Sequence, residues 1–123
     1  MTVAQGIIER LPQAGQLEVD IRVRANVNYS SYAARRKVSR FVGDEVSYLL
    51  RGGDPTLALS ERILWRVPVV LTMPPDGTVG VVGEIDVDVE TGQLYVTPQQ
   101  IEGMIRHANA LAAGRTPPPN PRG

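Results

Sequence analysis

Strict alternation of apolar and charged residues predicts the first strand. From residue 17 to residue 24, every odd position is apolar and every even position is charged. A period of two places all the apolar side chains on one face of a strand, where a core can bury them. The preceding segment, residues 1–15, shows near-helical apolar spacing and is predicted to be an N-terminal arm or a short helix.

A second period, close to 3.6 residues, predicts the main helix over residues 28–51. Its apolar positions share one side of the helix: Ala34, Val38, Phe41, Val42, Val46, Tyr48 and Leu49. Asn28 or Ser30 is expected to cap its first turn, and the glycines at 52–53 are expected to end it.

Three further strands are predicted after this helix. Residues 63–73 are rich in β-branched side chains, and Pro68 within them lacks the N–H that a ladder needs, which predicts an edge strand or a bulge. A turn then leads to a strand over residues 79–89, whose glycines at 80 and 83 indicate a bulge, and residues 94–96 form the last strand.

The last helix has a clear start. Thr97 is its N-cap, Pro98 takes the first helical position, and Gln100 completes a capping box. Gly114 is expected to end the helix, and the proline-rich residues 115–123 are predicted to be an extended or disordered tail.

The order β-α-β-β-β-α predicts one α+β domain over residues 1–114. Its sheet is expected to be small and antiparallel, with the helices packed on one face.

Composition narrows the functional classes. Lysine plus arginine and aspartate plus glutamate both number 13, so the net charge is zero, whereas nucleic-acid-binding domains usually carry a basic excess. There are no cysteines, which excludes disulfides and thiolate chemistry. The first residues do not resemble a signal peptide, and the most apolar run, residues 67–73, is too short to span a membrane. We therefore expect a cytoplasmic protein without membrane contact, without a cofactor, and without a recognisable catalytic or metal-binding constellation.

Two charged surfaces are predicted. Arg36, Lys37 and Arg40, joined by Arg51, share the polar side of the main helix, opposite its apolar stripe. This basic face is either solvated or a contact surface for phosphates or for an acidic protein. The second surface is an acidic row on one strand face: Glu84, Asp86, Asp88 and Glu90. It is either a solvent-facing row, neutralised across the sheet by Arg22 and Arg24, or a site for a divalent cation or a basic partner.

Three single residues also attract attention. Helical phase places Glu45 on the helix's apolar side, where a buried carboxylate needs a partner such as Arg62 or Arg66; the alternative is an edge position on a shifted helix. Trp65, next to Arg66, is either a core anchor or an exposed anchor for a partner. His107 is the one histidine and is expected to be an exposed surface residue.

The stretch Val87-Asp88-Val89-Glu90-Thr91-Gly92-Gln93-Leu94 resembles the hairpin of PepSY-type domains and is similar to segments of small bacterial immunity or antitoxin-like proteins. The resemblance covers at most residues 65–96, and it implies a small binding or inhibitory module without catalysis.

Three functional hypotheses follow. The leading one is a non-catalytic protein-interaction module that binds itself or another chain, with an antitoxin-, immunity- or accessory-subunit role. Its candidate partner-binding residues are Trp65, Arg66, Arg36, Lys37 and Arg40, and its exposed strand edge favours a homodimer. The first alternative is a nucleic-acid-binding protein that uses Arg36, Lys37 and Arg40. The second is a metal-dependent hydrolase that uses the acidic row at 84–90.

Overall fold

A computed structural model describes residues 14–20, 22–75 and 77–115, and its architecture is α+β. The elements in chain order are α1 (Ser31–Glu45), β1 (Leu50–Gly52), β2 (Thr56–Leu59), β3 (Ile63–Met73), β4 (Gly77–Asp88), β5 (Leu94–Tyr95) and α2 (Pro98–Arg115). All strand pairs are antiparallel, so the predicted fold class is confirmed. Residues 1–13 of the predicted N-terminal arm or short helix and residues 116–123 of the predicted tail lie outside the described residues.

Both helices lie on the same face of the sheet. Gly52, Val69 and Gly83 are direct neighbours across β1, β3 and β4, so their Cβ directions point to one face. A Cβ on Gly52 would come 2.9 Å from the Arg35 oxygen of α1, and a Cβ on Gly83 would come 2.7 Å from Met104 Cγ of α2. The core fills this face, and its fully buried side chains include Val38, Val42, Val67, Val69, Ile85 and Val87.

The strand β3 is central, so of the two predicted alternatives for residues 63–73, an edge strand or a bulge, the edge strand is wrong. It pairs with β4 on one side and with both β1 and β2 on the other. Pro68 is tolerated because the chain leaves the ladder at residues 53–55, opposite the proline. The Pro68 carbonyl accepts a hydrogen bond of 2.7 Å from Gly53 N–H on that side, where the missing proline N–H needs no partner.

The predicted irregularity at the β4 glycines is confirmed. The pairing of β3 with β4 shifts register between Val69 and Val70, and again between Leu71 and Thr72. Each shift leaves one extra residue in β4, which is the pattern of a β-bulge.

The main helix is shorter than the predicted 28–51. Ser30 is its N-cap, since its Oγ accepts a hydrogen bond of 3.1 Å from Ala33 N–H. The helix ends at Glu45 because the chain must turn to bring Leu50 opposite Leu71 in the sheet. The apolar pattern continued past the helix because Val46, Leu49 and Leu50 also contact the core, whereas Tyr48, predicted on the same side, is 87% exposed.

The alternating segment 17–24 is not a strand, and that prediction is wrong for the described residues 17–20 and 22–24. Their side chains are exposed, with Leu17 at 53% and Val19 at 43%. Ile21 lies outside the described residues. Meanwhile β2, which the sequence analysis missed, pairs with the first half of β3.

The capping box of α2 is confirmed. Gln100 N–H donates to Thr97 Oγ1 at 3.1 Å, and Thr97 N–H donates to Gln100 Oε1 at 2.7 Å. Gly114 does not end the helix, which continues to Arg115. Within the described ranges, neither helix combines the length and the apolar character that crossing a bilayer requires.

Candidate binding site

A groove with a volume of about 520 Å³ lies between α1 and β5. Its lining residues are Ala33, Arg36, Lys37, Arg40, Phe41 and Leu94. Phe41 and Leu94 pack against the hydrophobic core and give the groove an apolar floor. Arg36 and Lys37 are adjacent on one turn of α1, and Arg40 lies on the next turn, three and four residues on, which places it on the same side of the helix. The groove therefore combines an apolar floor with a basic wall.

Two of the three cations lie against tyrosine rings. The Lys37 Nζ atom is 4.9 Å from the centroid of the Tyr29 ring, and the Arg36 Cζ atom is 5.7 Å from the centroid of the Tyr32 ring. Both distances are within the range of a cation–π attraction, which orients the two side chains. Tyr32 is 67% exposed, so its ring adds an aromatic surface beside the groove.

Tyr29 is held in place by the turn that links β4 to β5. Gly92 in this turn has a φ of +75°, and a Cβ there would lie 2.5 Å from Tyr29 Cζ. The Tyr29 ring therefore packs directly on the glycine backbone, which only a residue without a side chain permits. Trp65 Nε1 donates a hydrogen bond of 2.7 Å to the Tyr29 carbonyl. Trp65 itself is half-buried against the core, so the structure places it as an internal support behind the groove.

Arg36, Lys37 and Arg40 form no ion pair with another described residue, whereas several other arginines do. Arg35 pairs with Asp54 at 2.7 Å, and Arg62 pairs with Asp88 at 3.2 Å. The groove wall thus carries three positive charges that no described carboxylate neutralises within 4.0 Å. Arg51, predicted to join this basic face, lies instead on β1, because α1 ends before it.

The acidic row is neutralised by residues other than those expected. Arg66 forms two hydrogen bonds with Asp86, at 3.0 and 3.1 Å, and approaches Glu84 at 3.5 Å. The hydrogen bond with Asp86 raises the pKa of Arg66. Arg22 and Arg24, the predicted partners, form no ion pair with the described part of the row.

Asp88 is the buried member of the row, at 2% exposure. Its carboxylate accepts hydrogen bonds from the backbone N–H groups of Glu90 and Thr91, from Arg62 and from the Tyr95 hydroxyl. Burial alone raises the pKa of Asp88, but these four hydrogen bonds together lower it below its usual value. Asp88 therefore organises the turn between β4 and β5, and Glu90 lies beyond the strand in that turn.

Among the residues that the structure describes, no three histidine or carboxylate side chains are placed to hold a metal ion. Glu45 is exposed at the end of α1, so the pairing expected of a buried carboxylate is wrong: Arg62 and Arg66 bind Asp88 and Asp86 instead. His107 is exposed on α2.

Sequence reasoning missed the partners that turn a basic helix face into a groove. Leu94 is distant from α1 in the sequence and reaches the groove only through the fold, whereas Tyr29 lies just before the helix and its ring is placed beside Lys37. The one available signal was Gly92 in the turn, since a glycine there permits the close approach of a ring.

No protein-family model, curated protein or solved structure matches the chain. The resemblance of the 87–94 hairpin to PepSY-type and immunity or antitoxin-like proteins stays a prediction from the sequence.

Proposed function

We propose that the protein is a non-catalytic protein-interaction module that binds an acidic, partly apolar segment of a partner protein in the groove between α1 and β5. The observation that carries this proposal is the set of three unneutralised cations, Arg36, Lys37 and Arg40, beside an apolar floor. Arginine and aromatic side chains are enriched where proteins bind each other. A module of this kind suits an antitoxin-, immunity- or accessory-subunit role.

The apolar floor favours a protein ligand over a nucleic acid. Phosphate backbones are bound by many cations in an extended patch, and such domains usually carry a basic excess. This chain has a net charge of zero, and its basic wall has three cations next to Phe41 and Leu94. An apolar side chain flanked by carboxylates matches both parts of the groove.

Titration with a labelled synthetic peptide of alternating leucine and glutamate tests the proposal. We expect the Arg40→Glu variant to bind this peptide at least about tenfold more weakly, because one attraction becomes a repulsion. Arg51→Glu is the matched control, since it makes the same charge change on β1, outside the groove. Its affinity for the peptide should equal that of the unmodified protein.

A single-stranded oligonucleotide of the same net charge is the competing probe. Tighter binding of the oligonucleotide, weakened by Arg40→Glu, would overturn the proposal in favour of nucleic-acid binding. Equal peptide affinities for Arg40→Glu and Arg51→Glu would also overturn it, because the groove would then not be the binding surface.

A further inference from the structure

The segment 17–20 has the properties that the groove requires of a ligand. Leu17 and Val19 are exposed at 53% and 43%, and Glu18 and Asp20 form no ion pair with another described residue. The two apolar and two acidic side chains alternate, as in a strand with one apolar row. Within the described part of the chain, this segment pairs with no strand. A strand pattern is thus present without a partner.

We infer that the groove of one molecule binds residues 17–20 of a second copy, so that two copies exchange these segments; this rests on the proposed function of the groove. The apolar row, Leu17 and Val19, contacts the floor formed by Phe41 and Leu94. The carboxylates of Glu18 and Asp20 meet the basic wall, because the long arginine and lysine side chains reach past the apolar row to the rim.

The residues that follow the segment lie at a hollow separate from the groove. Asn26 N–H donates to Glu90 Oε1 at 3.1 Å, and residues 23–26 line a separate hollow together with Ile63 and Glu90. The described lining of the groove contains no residue before Ala33. Residues 23–26, which follow the segment, therefore lie outside the groove, and this placement favours a second copy as the source of the segment that fills it.

The overall charge also favours a second copy as the partner. The chain is neutral, with 13 basic and 13 acidic residues. The groove wall is nevertheless basic, and the segment 17–20 is acidic because of Glu18 and Asp20. Two identical neutral chains meet without net repulsion, and each supplies the charge that the other's surface lacks. Because both contacts are the same, the exchange closes into a symmetric dimer.

Charge-reversed variants of the full chain test the inference by light scattering on a size-exclusion column. The unmodified protein is expected to elute as a dimer. Glu18→Lys with Asp20→Lys, and separately Arg36→Glu with Arg40→Glu, should each raise the dissociation constant of the dimer at least about tenfold. An equimolar mixture of the two variants should form a heterodimer, since the reversed groove then meets a reversed segment. Such rescue also shows that both variants are folded.

The matched control combines Glu61→Lys with Arg51→Glu, which reverses the same kinds of charge outside both surfaces and should leave the dimer intact. A dimer that persists in both charge-reversed variants would overturn the inference, because it would use another surface. An unmodified protein that stays monomeric while its groove still binds the leucine–glutamate peptide would overturn the inference and leave the proposed function standing. A monomeric protein whose groove also fails to bind the peptide would overturn both the inference and the proposed function.

Discussion

At the scale of single residues, Asp88 links the stability of the fold to the shape of the groove. Its carboxylate holds the backbone of Glu90 and Thr91, and the same turn contains Gly92, on which the Tyr29 ring packs. The position of Lys37 over that ring therefore depends on a carboxylate on the opposite face of the sheet. A residue outside the groove can in this way determine where a cation of the groove wall lies.

We predict that Asp88→Asn lowers the free energy of unfolding by about 2 kcal/mol at neutral pH, because hydrogen bonds to a buried charge are weakened. The pKa of Asp88 is lower in the folded protein than in the unfolded chain, where aspartate titrates near 3.9. Its ionised form therefore stabilises the fold above about pH 4, and this stabilisation is lost as the pH falls through the lowered pKa. Urea unfolding at a series of pH values should show the two proteins converging at acid pH.

Glu61→Gln is the control, because it changes an exposed carboxylate that forms no ion pair with another described residue. A difference between the unmodified protein and Asp88→Asn that stayed constant down to pH 2 would contradict the assigned role of the Asp88 charge.

At the scale of elements, two glycines show how α2 packs on β4. Gly83 on β4 faces Met104, whose Cγ would lie 2.7 Å from an added Cβ, whereas an added Cβ on Gly103 of α2 would meet no atom within 4 Å. We predict that Gly83→Ala destabilises the protein by about 1–2 kcal/mol through overpacking. Gly103→Ala should stabilise it by about 0.5–1 kcal/mol, because alanine is the better helix former. Urea unfolding of both variants measures the difference, and a destabilised Gly103→Ala would show that this face of α2 is not open.

Elements with strong local signals were predictable from the sequence. β3 matches the predicted 63–73, and the capping box places the start of α2 correctly. The prediction of a strand over residues 17–24 failed because alternation shows only that a strand could bury one face. A strand forms only when a neighbouring strand forms backbone hydrogen bonds with it. β2 was missed because its four residues alternate little and depend on pairing with β3.

The groove was predictable only where its residues follow a local pattern. Helical phase alone placed Arg36, Lys37 and Arg40 on one side of α1, and that placement is confirmed. The ion pairs of Arg62 with Asp88 and of Arg66 with Asp86 were not predictable. They depend on the register of β3 with β4, which no local sequence pattern specifies.

At the scale of the whole molecule, charge is separated although its sum is zero. The open face of the sheet neutralises its carboxylates internally, as with Arg66 and Asp86, and the groove wall does not. Electrostatic contacts of the groove are exposed to solvent, so salt should weaken them, whereas the buried core is insensitive to screening.

We therefore predict that raising the ionic strength from about 0.1 M to about 1 M, which shortens the screening length from about 10 Å to about 3 Å, weakens binding of the leucine–glutamate peptide several-fold. The free energy of unfolding should change little over the same range. Peptide titrations and urea unfolding at matched salt concentrations measure both quantities. Peptide affinity that rises with salt would mean that the apolar floor, and not the basic wall, drives binding.

The break between β1 and β2 offers an attachment point. The chain already leaves the ladder at residues 53–55, where Pro68 has no N–H to offer, so residues inserted between Asp54 and Pro55 would interrupt no strand pairing. β1 and β2 form one edge of the sheet, and β5 lies at the other. A tag or fluorophore carried in this loop would stand across the sheet from the groove, and the protein could be immobilised through it with the groove left accessible.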